Sequence, residues 1–394
     1  MRRPETPQFN LCLMNNKVTE RFSLLYGHPP TVVTHAPGRI EFIGNHTDYN
    51  GGTVLGVTIN LGIWVAAGPA PAGVLNFATD SQRGIVAVQT SAAGPQTGAQ
   101  RWVNYPLGVW TSFREFGLKQ PDGMEYLALS NLPVGAGLSS SAAIELASAL
   151  AYLGLTGENP PRETVVKLAR HAENHFVGVP CGILDQGVSG FGKKDHLVFI
   201  DCRGPHFETV PMPAGTHFWV FNTHTKHALI DGLYAERHRE CTDAAKTLGV
   251  PVLAALTPEQ LERRRALLSE TSYRRAKHVV EEIDRVARVR AALAAGDIPE
   301  VGRLLTESHH SSRTQFENST PELDFLVETL AATPHVHGAR LTGGGFGGAV
   351  MAFTDDQFAA PQAEQVADAY AGRFGTRPDV LHCETGDGAR RISP

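Results

Sequence analysis

In the first half of the chain the apolar residues gather in short runs, among them Val54 to Val65 and Gly84 to Thr90, separated by clusters of Gly, Pro and Asn. Runs of this kind bounded by turn formers predict strands. From Ser139 the rhythm changes, and Ala143, Leu146, Ala147, Leu150 and Leu153 follow the i, i+3, i+4 spacing of one helical face. That helix leaves directly from a glycine-rich turn. His196 to Asp201 and Thr216 to Asn222 read as strands again, and the segments Gly204-Pro205 and Pro211 to Gly215 between them are the expected junction of two lobes. Further on, Thr257-Pro258-Glu259-Gln260 supplies an N-cap, a proline at the first helical position and a capping-box glutamine. Helix is expected from there through Arg288 to Leu293. The charges in this block (Glu262 to Arg265, Arg274-Arg275, Glu281-Glu282) alternate in sign and read as a solvated helix face.

At 394 residues with 42% hydrophobic content, the chain exceeds the roughly 250 to 300 residues that one core commonly serves. Two domains are expected, residues 1–210 and 211–394, with a cleft between them. A formal net charge of −5 supplies no basic surface for nucleic acid or anionic lipid. The segment Met1 to Asn10 is polar, and no later stretch approaches the roughly 18 uninterrupted apolar residues of a membrane span. A monomer in the cytoplasm, acting on small molecules with neither nucleic acid nor membrane as partner, is the expectation. The five cysteines are scattered and never paired as C-x-x-C, so reduced thiols are expected.

Three glycine-bearing segments carry the chemistry. Pro133-Val134-Gly135-Ala136-Gly137-Leu138-Ser139-Ser140-Ser141-Ala142-Ala143 stands between a strand-like run and a helix, where glycines admit a phosphate chain and the helix N-terminus offers unpaired N–H groups. Alone, it would also suit a serine-capped helix after a flexible turn. It is not a Walker A loop, since G-x-x-x-x-G-K-[ST] is absent. Gly343-Gly344-Gly345-Phe346-Gly347-Gly348 precedes the apolar run Ala349 to Phe353 and reads either as a tight turn or as backbone passing close to something. Pro37 to Gly52 packs Arg39, Asn45, His46, Asp48 and Asn50 between glycines, a set suited to a polyhydroxylated ligand.

Taken together these segments resemble the GHMP kinases, with a stretch similar to the galactokinase signature among them. Further segments resemble galactokinases in the same order: Trp102 to Tyr105, Ala172 to Gly178, Cys181 to Gln186, Lys193 to Arg203, and Glu307 to His309 with Pro321 to Asp324. The resemblance implies an α+β, two-lobed GHMP kinase fold. Its N-terminal lobe would carry a left-handed βαβ unit, its C-terminal lobe would be ferredoxin-like, and the active site would lie in the cleft. It implies that Asp185 takes or orients the proton of the sugar's anomeric hydroxyl, with Arg39 beside it. Asn45, His46, Thr47, Asp48 and Tyr234 would bind the sugar. Gly135, Ala136, Gly137, Leu138, Ser139, Ser140 and Ser141 would wrap the phosphates of ATP, Trp102 and Tyr105 would lie near its adenine, and Ser141 and Glu173 would hold Mg²⁺.

The pattern departs from the family in places. Asn45 stands where glutamate is usual, Glu41 and Phe42 where asparagine and leucine are, and His227 and Leu233 where arginine and glutamate precede the tyrosine. An amide donates as well as accepts, so an Asn45 facing C6 of the sugar would tolerate a carboxylate there. The expected reaction is ATP-dependent phosphorylation of the C1 hydroxyl of galactose, giving α-galactose 1-phosphate and ADP. One alternative is a related sugar 1-kinase for galacturonate, N-acetylgalactosamine or another sugar altered at C6 or C2. An alternative of another class is a silent sensor of galactose and ATP, against which the intact Leu138 to Ala143 segment and Asp185 argue.

Overall fold

The computed structural model describes residues 11–133, 135–226 and 230–392. Val134 and His227 lie outside them. The apolar runs of the first half become β1 (Val32–Ile43), β2 (Thr53–Pro69), β3 (Val74–Thr79), β4 (Val86–Gln89) and β5 (Met124–Ser130), followed by β6 (His196–Asp201) and β7 (His206–Pro211). A second group comprises β8 (Thr216–Lys226), β9 (Val336–Thr342), β10 (Gly347–Asp355) and β11 (Asp379–Cys383), and the last strand is β12 (Arg390–Ile392). The large sheet has the order β12-β1-β2-β5-β3-β4, with β6 on β2 and β7 on β6. Its one parallel pair among the described strands is β3 with β5, joined across the helix Asn104–Glu115. The small sheet is antiparallel throughout, in the order β11-β8-β10-β9.

The chain crosses from one sheet to the other between Pro211 and Thr216. Gly204-Pro205, expected at the junction, instead closes the β6–β7 hairpin. Helix Ser140–Thr156 packs on β1 and β2, burying Ala143, Leu146, Ala147 and Leu153. Side chains of β10 divide by the strand period of two. Ala349, Met351 and Phe353 enter the main core with Phe42, while Val350 and Ala352 join Trp219 and Phe221 beneath the helices Pro321–Ala331 and Ala360–Phe374. Phe42 meets Phe353 edge-on with ring centres 5.4 Å apart, so the two lobes share apolar packing directly under the cleft.

A third apolar cluster joins the helices Ile230–Thr247 and Glu270–Ala295 through Cys241, Ala244, Ala276, Val279 and Val280. The short helix Pro258–Arg263 between them has the full capping box, with Thr257 accepting from the Gln260 N–H and Gln260 accepting from the Thr257 N–H. Of the charges read as a solvated face, Glu262, Arg263 and Arg265 are exposed, but Arg275 and Glu282 of the long helix are not. Arg275, His278, Glu282 and Arg285 are buried. Spaced three, four and three residues apart, they share one helical face; Arg275, His278 and Glu282 meet partners from elsewhere in the chain, and Arg285 pairs with Glu282.

Candidate active site

Strand β1 sets the geometry. Its alternation sends Ile40 and Phe42 into the core and turns Arg39 and Glu41 to the other side, where both line a cavity of about 470 Å³. Arg39 is nearly buried, and its Nε and Nη2 donate to Asp185 Oδ1 at 2.8 and 2.6 Å. Its Nη1 donates to Gly137 O at 2.7 Å, tying the serine-rich loop to the same spot. Asp185 stands in the first turn of the helix Leu184–Phe191, and its second oxygen accepts from Ser139 Oγ at 2.5 Å. Ser139 takes the left-handed conformation (φ 55°) and makes no side-chain cap to the helix it precedes. The first N–H groups of that helix therefore remain without a side-chain acceptor from Ser139, as an anion site requires.

A second cavity lies against the first. Its walls are Gly135, Ala136, Gly137, Leu138, Ser139, Ser140 and Ser141, with Tyr105 and the glycine cluster from Gly343 to Gly348, and it shares Arg39, Asp185, Gly343 and Gly344 with its neighbour. The glycine cluster is a close approach. A Cβ on Gly345, where φ is +80°, would lie 2.3 Å from Asn318 O. Trp102 is not on this wall. It packs against the main core with its indole N–H buried and unpartnered.

The residues expected to bind sugar fall into two groups. Asp48 and Tyr234 line the first cavity. Burial pushes the Asp48 carboxyl up, against the pull of the Leu184 and Tyr49 N–H groups it accepts from. Burial likewise holds Tyr234 protonated, well above its ordinary value. Asn45 and His46 also touch the cavity, but their polar atoms are engaged within the protein. Asn45 Nδ2 donates to Glu41 Oε1 at 3.0 Å and Gly343 O at 2.8 Å, and its Oδ1 accepts from Asn318 Nδ2 at 2.8 Å. The amide expected to face C6 is thus committed to brace the glycine cluster. His46 Nε2 lies 3.0 Å from Gly344 O and Nδ1 2.8 Å from Tyr49 OH. A carbonyl only accepts, so Nε2 carries the proton. Burial lowers this imidazole to about 3 and keeps it neutral. Thr47 is fully buried, donates to Gly44 O and Thr53 O and lies beneath the loop, off the cavity wall.

Glu173 begins a π-turn that follows the helix Arg162–Ala172. Ser141 hydrogen-bonds its carboxylate, Gln186 Nε2 donates to it at 2.6 Å, and burial pushes its pKa up. Among the described residues no cluster of three or more His, Cys, Asp or Glu is arranged to hold a metal. One hydroxyl and one carboxylate suit a cation that keeps its waters and takes further ligands from a nucleotide.

The sequence reading missed a buried polar network behind the cavity. Arg340 of β9 is fully buried, with Nη2 on Glu41 Oε1 at 2.9 Å and Nη1 on the carbonyls of Glu41 and Phe42. Glu282 accepts from the N–H groups of Gly44 and Asn45 and from Ser308 Oγ, and pairs with Arg285. Burial alone would raise this carboxyl, but Arg285, His278 and Arg340 hold it down to about 2. The three, four, three spacing in the long helix was the available signal for Glu282. Nothing local marks Arg340.

The galactokinase galactose-binding signature matches residues 20–69, the GHMP kinases N terminal domain residues 104–193 and the GHMP kinases C terminal domain residues 289–372. A galactokinase of Thermotoga maritima is 38% identical over 358 residues, covering 91% of this chain and 99% of that one. A galactokinase of Bacillus subtilis is 36% identical, covering 91% and 93%. The crystal structure of Lactococcus lactis galactokinase complexed with galactose superposes with a TM-score of 0.91 at 30% identity, covering 96% and 99% of the two chains. A Methanococcus jannaschii mevalonate kinase shares the fold alone, at TM-score 0.64 and 15% identity. Three motifs far apart in sequence meet at Arg39 and Asp185, within a two-sheet α+β architecture matched over nearly its whole length by these enzymes, and the chain belongs to the galactokinase family of GHMP kinases.

Proposed function

We propose that the chain transfers the γ-phosphoryl group of ATP to the C1 hydroxyl of galactose, forming α-galactose 1-phosphate and ADP. One observation carries the reading: two cavities, one lined in part by the polar side chains of Glu41, Asp48 and Tyr234 and one by a glycine- and serine-rich loop, meet at the Arg39–Asp185 pair. Phosphoryl transfer asks chiefly for positioning and charge neutralisation. In this reading galactose occupies the first cavity against Asp48 and Tyr234, with its C1 hydroxyl at Asp185. The carboxylate accepts the hydroxyl proton as the new P–O bond forms, which requires the Ser139 hydroxyl to leave Oδ2. Arg39 pairs with Asp185 and stabilises the alkoxide that develops.

ATP belongs in the second cavity, its phosphates along residues 135–141 and its base towards Tyr105. Ser141 and Glu173 would hold Mg²⁺, which neutralises phosphate charge when bound. The N–H groups at the start of the helix Ser140–Thr156 would bind the phosphates directly. We further take residues 1–210 and 211–394 as the two lobes, with β12 returning to the first. The uronate alternative loses its support in the geometry, because the Asn45 amide is engaged and the carboxylate of Glu41 lies on the cavity wall. ADP release by the purified protein, measured with galactose, galacturonate, N-acetylgalactosamine, glucose and arabinose, tests the proposal. Galactose should give the highest kcat/KM, and absence of turnover with galactose would overturn it.

A further inference from the structure

Glu41 is a carboxylate on the cavity wall that the assignments above leave without a role. It sits two residues after Arg39 on the same face of β1, and Asn45 on the same wall donates to it. Only 6% of the side chain is exposed. One carboxylate oxygen, Oε1, accepts both Arg340 Nη2 and Asn45 Nδ2. The other, Oε2, has no hydrogen-bond partner among the described residues, and it is not one of the sealed, partnerless atoms of the interior. The small exposed part of the side chain therefore opens on the cavity that Glu41 lines.

The two donors on Oε1 fix the plane of the carboxylate and make Oε2 a preset acceptor. A nearly buried carboxylate oxygen left without a donor is unfavourable, and a hydroxyl brought in by a neutral polyol would supply one. A ligand carboxylate in the same place would meet like charge. We propose that Glu41 is a specificity-determining residue whose Oε2 accepts a hydrogen bond from one hydroxyl of the bound sugar, held in position by Asn45 and Arg340. The carboxylate at position 41 and the amide at position 45 are in direct contact, Asn45 Nδ2 donating to Glu41 Oε1 at 3.0 Å.

The inference rests on the galactose reading and deepens it. Glu41→Gln tests it, because glutamine keeps an oxygen for Arg340 and Asn45 but turns an N–H₂ group towards the cavity. Wild type and variant are compared in turnover, and in calorimetric binding with a non-hydrolysable ATP analogue, using galactose and its 2-, 3-, 4- and 6-deoxy forms. The variant should lose roughly 10- to 100-fold in kcat/KM for galactose, mostly through KM, as expected for one hydrogen bond to a charged group. That loss should vanish for a single deoxy sugar, which identifies the hydroxyl, whereas the fall in thermal stability from leaving Arg340 without its counter-charge would weigh equally on every sugar. An equal loss for every analogue would make Glu41 a brace for the loop and overturn the proposal, as would no loss at all. If wild type binds galactose without turning it over, the kinase reading fails, whereas the binding series still decides the role of Glu41.

Discussion

Asp185 and Arg340 show how differently two ion-paired residues are expected to respond to substitution. Asp185→Asn preserves shape but removes the charge that answers Arg39 and the acceptor needed for the hydroxyl proton. Folding and ATP binding should persist while kcat falls on the order of 10² or more, and a steady-state assay with near-normal kcat would exclude the assigned role. Arg340→Met should act on stability, leaving the Glu41 carboxylate buried without its cation. Loss of one partner from such a pair costs about 3 to 5 kcal/mol, to be read from urea denaturation. The sequence displayed the first residue and concealed the second. Asp185 stands within a recognisable segment, whereas the partner of Glu41 lies on a strand of the other lobe, and no local pattern distinguishes a buried arginine from a surface one. Asn45 was legible as a departure but its direction was not, because its amide is oriented by Gly343 and Asn318.

Among the elements, those with strong periodicity or a cap were visible beforehand. The helix from Ser140, strand β6 and the capping box at Thr257 appear where the pattern puts them. Strand β7 was not foreseen, since His206 to Pro211 mixes exposed and half-buried positions at the margin of the sheet and offers no apolar alternation. The π-turn carrying Glu173 was equally silent, because a single π-turn is rare and has no sequence periodicity of its own. That segment is tightly fitted: a Cβ on Gly182 would lie 1.8 Å from Asp48 Oδ2. Gly182→Ala should therefore displace the Asp48 carboxylate and raise the KM for sugar by at least tenfold, with the KM for ATP little changed. Ser141→Ala combined with Glu173→Gln should do the converse, raising the Mg²⁺ concentration needed for half-maximal rate far more than the sugar KM. A shift in the sugar KM instead would remove both residues from the metal site.

Across the whole molecule the lobes are joined by neutral imidazoles as well as by ion pairs. His278 reaches from the long helix to Asn45 O at 3.1 Å and accepts from Ser311, and burial lowers it to about 4. Its folded pKa lies below the unfolded value near 6.5. Its stabilising contribution is therefore complete above about pH 6.5 and is lost as pH falls towards 4, where the unfolded chain takes up a proton that the folded one refuses. Glu41 and Glu145, which burial raises, act in the opposite sense, so the histidine is isolated by comparison with His278→Gln. The destabilisation caused by that change should shrink by about 2 kcal/mol between pH 7 and pH 5, and a difference independent of pH would contradict it. The return of β12 bears on how such a molecule is made. Strand β1 gains β2 after the loop of residues 44–52, but among the described residues its opposite edge at Val33 to His35 pairs with Arg390 to Ile392, which a ribosome delivers after the entire second lobe. Throughout synthesis the first sheet keeps an open flank able to pair with another nascent chain, so the first lobe reaches its finished form no earlier than the second, and crowding on the polysome is the moment of greatest exposure.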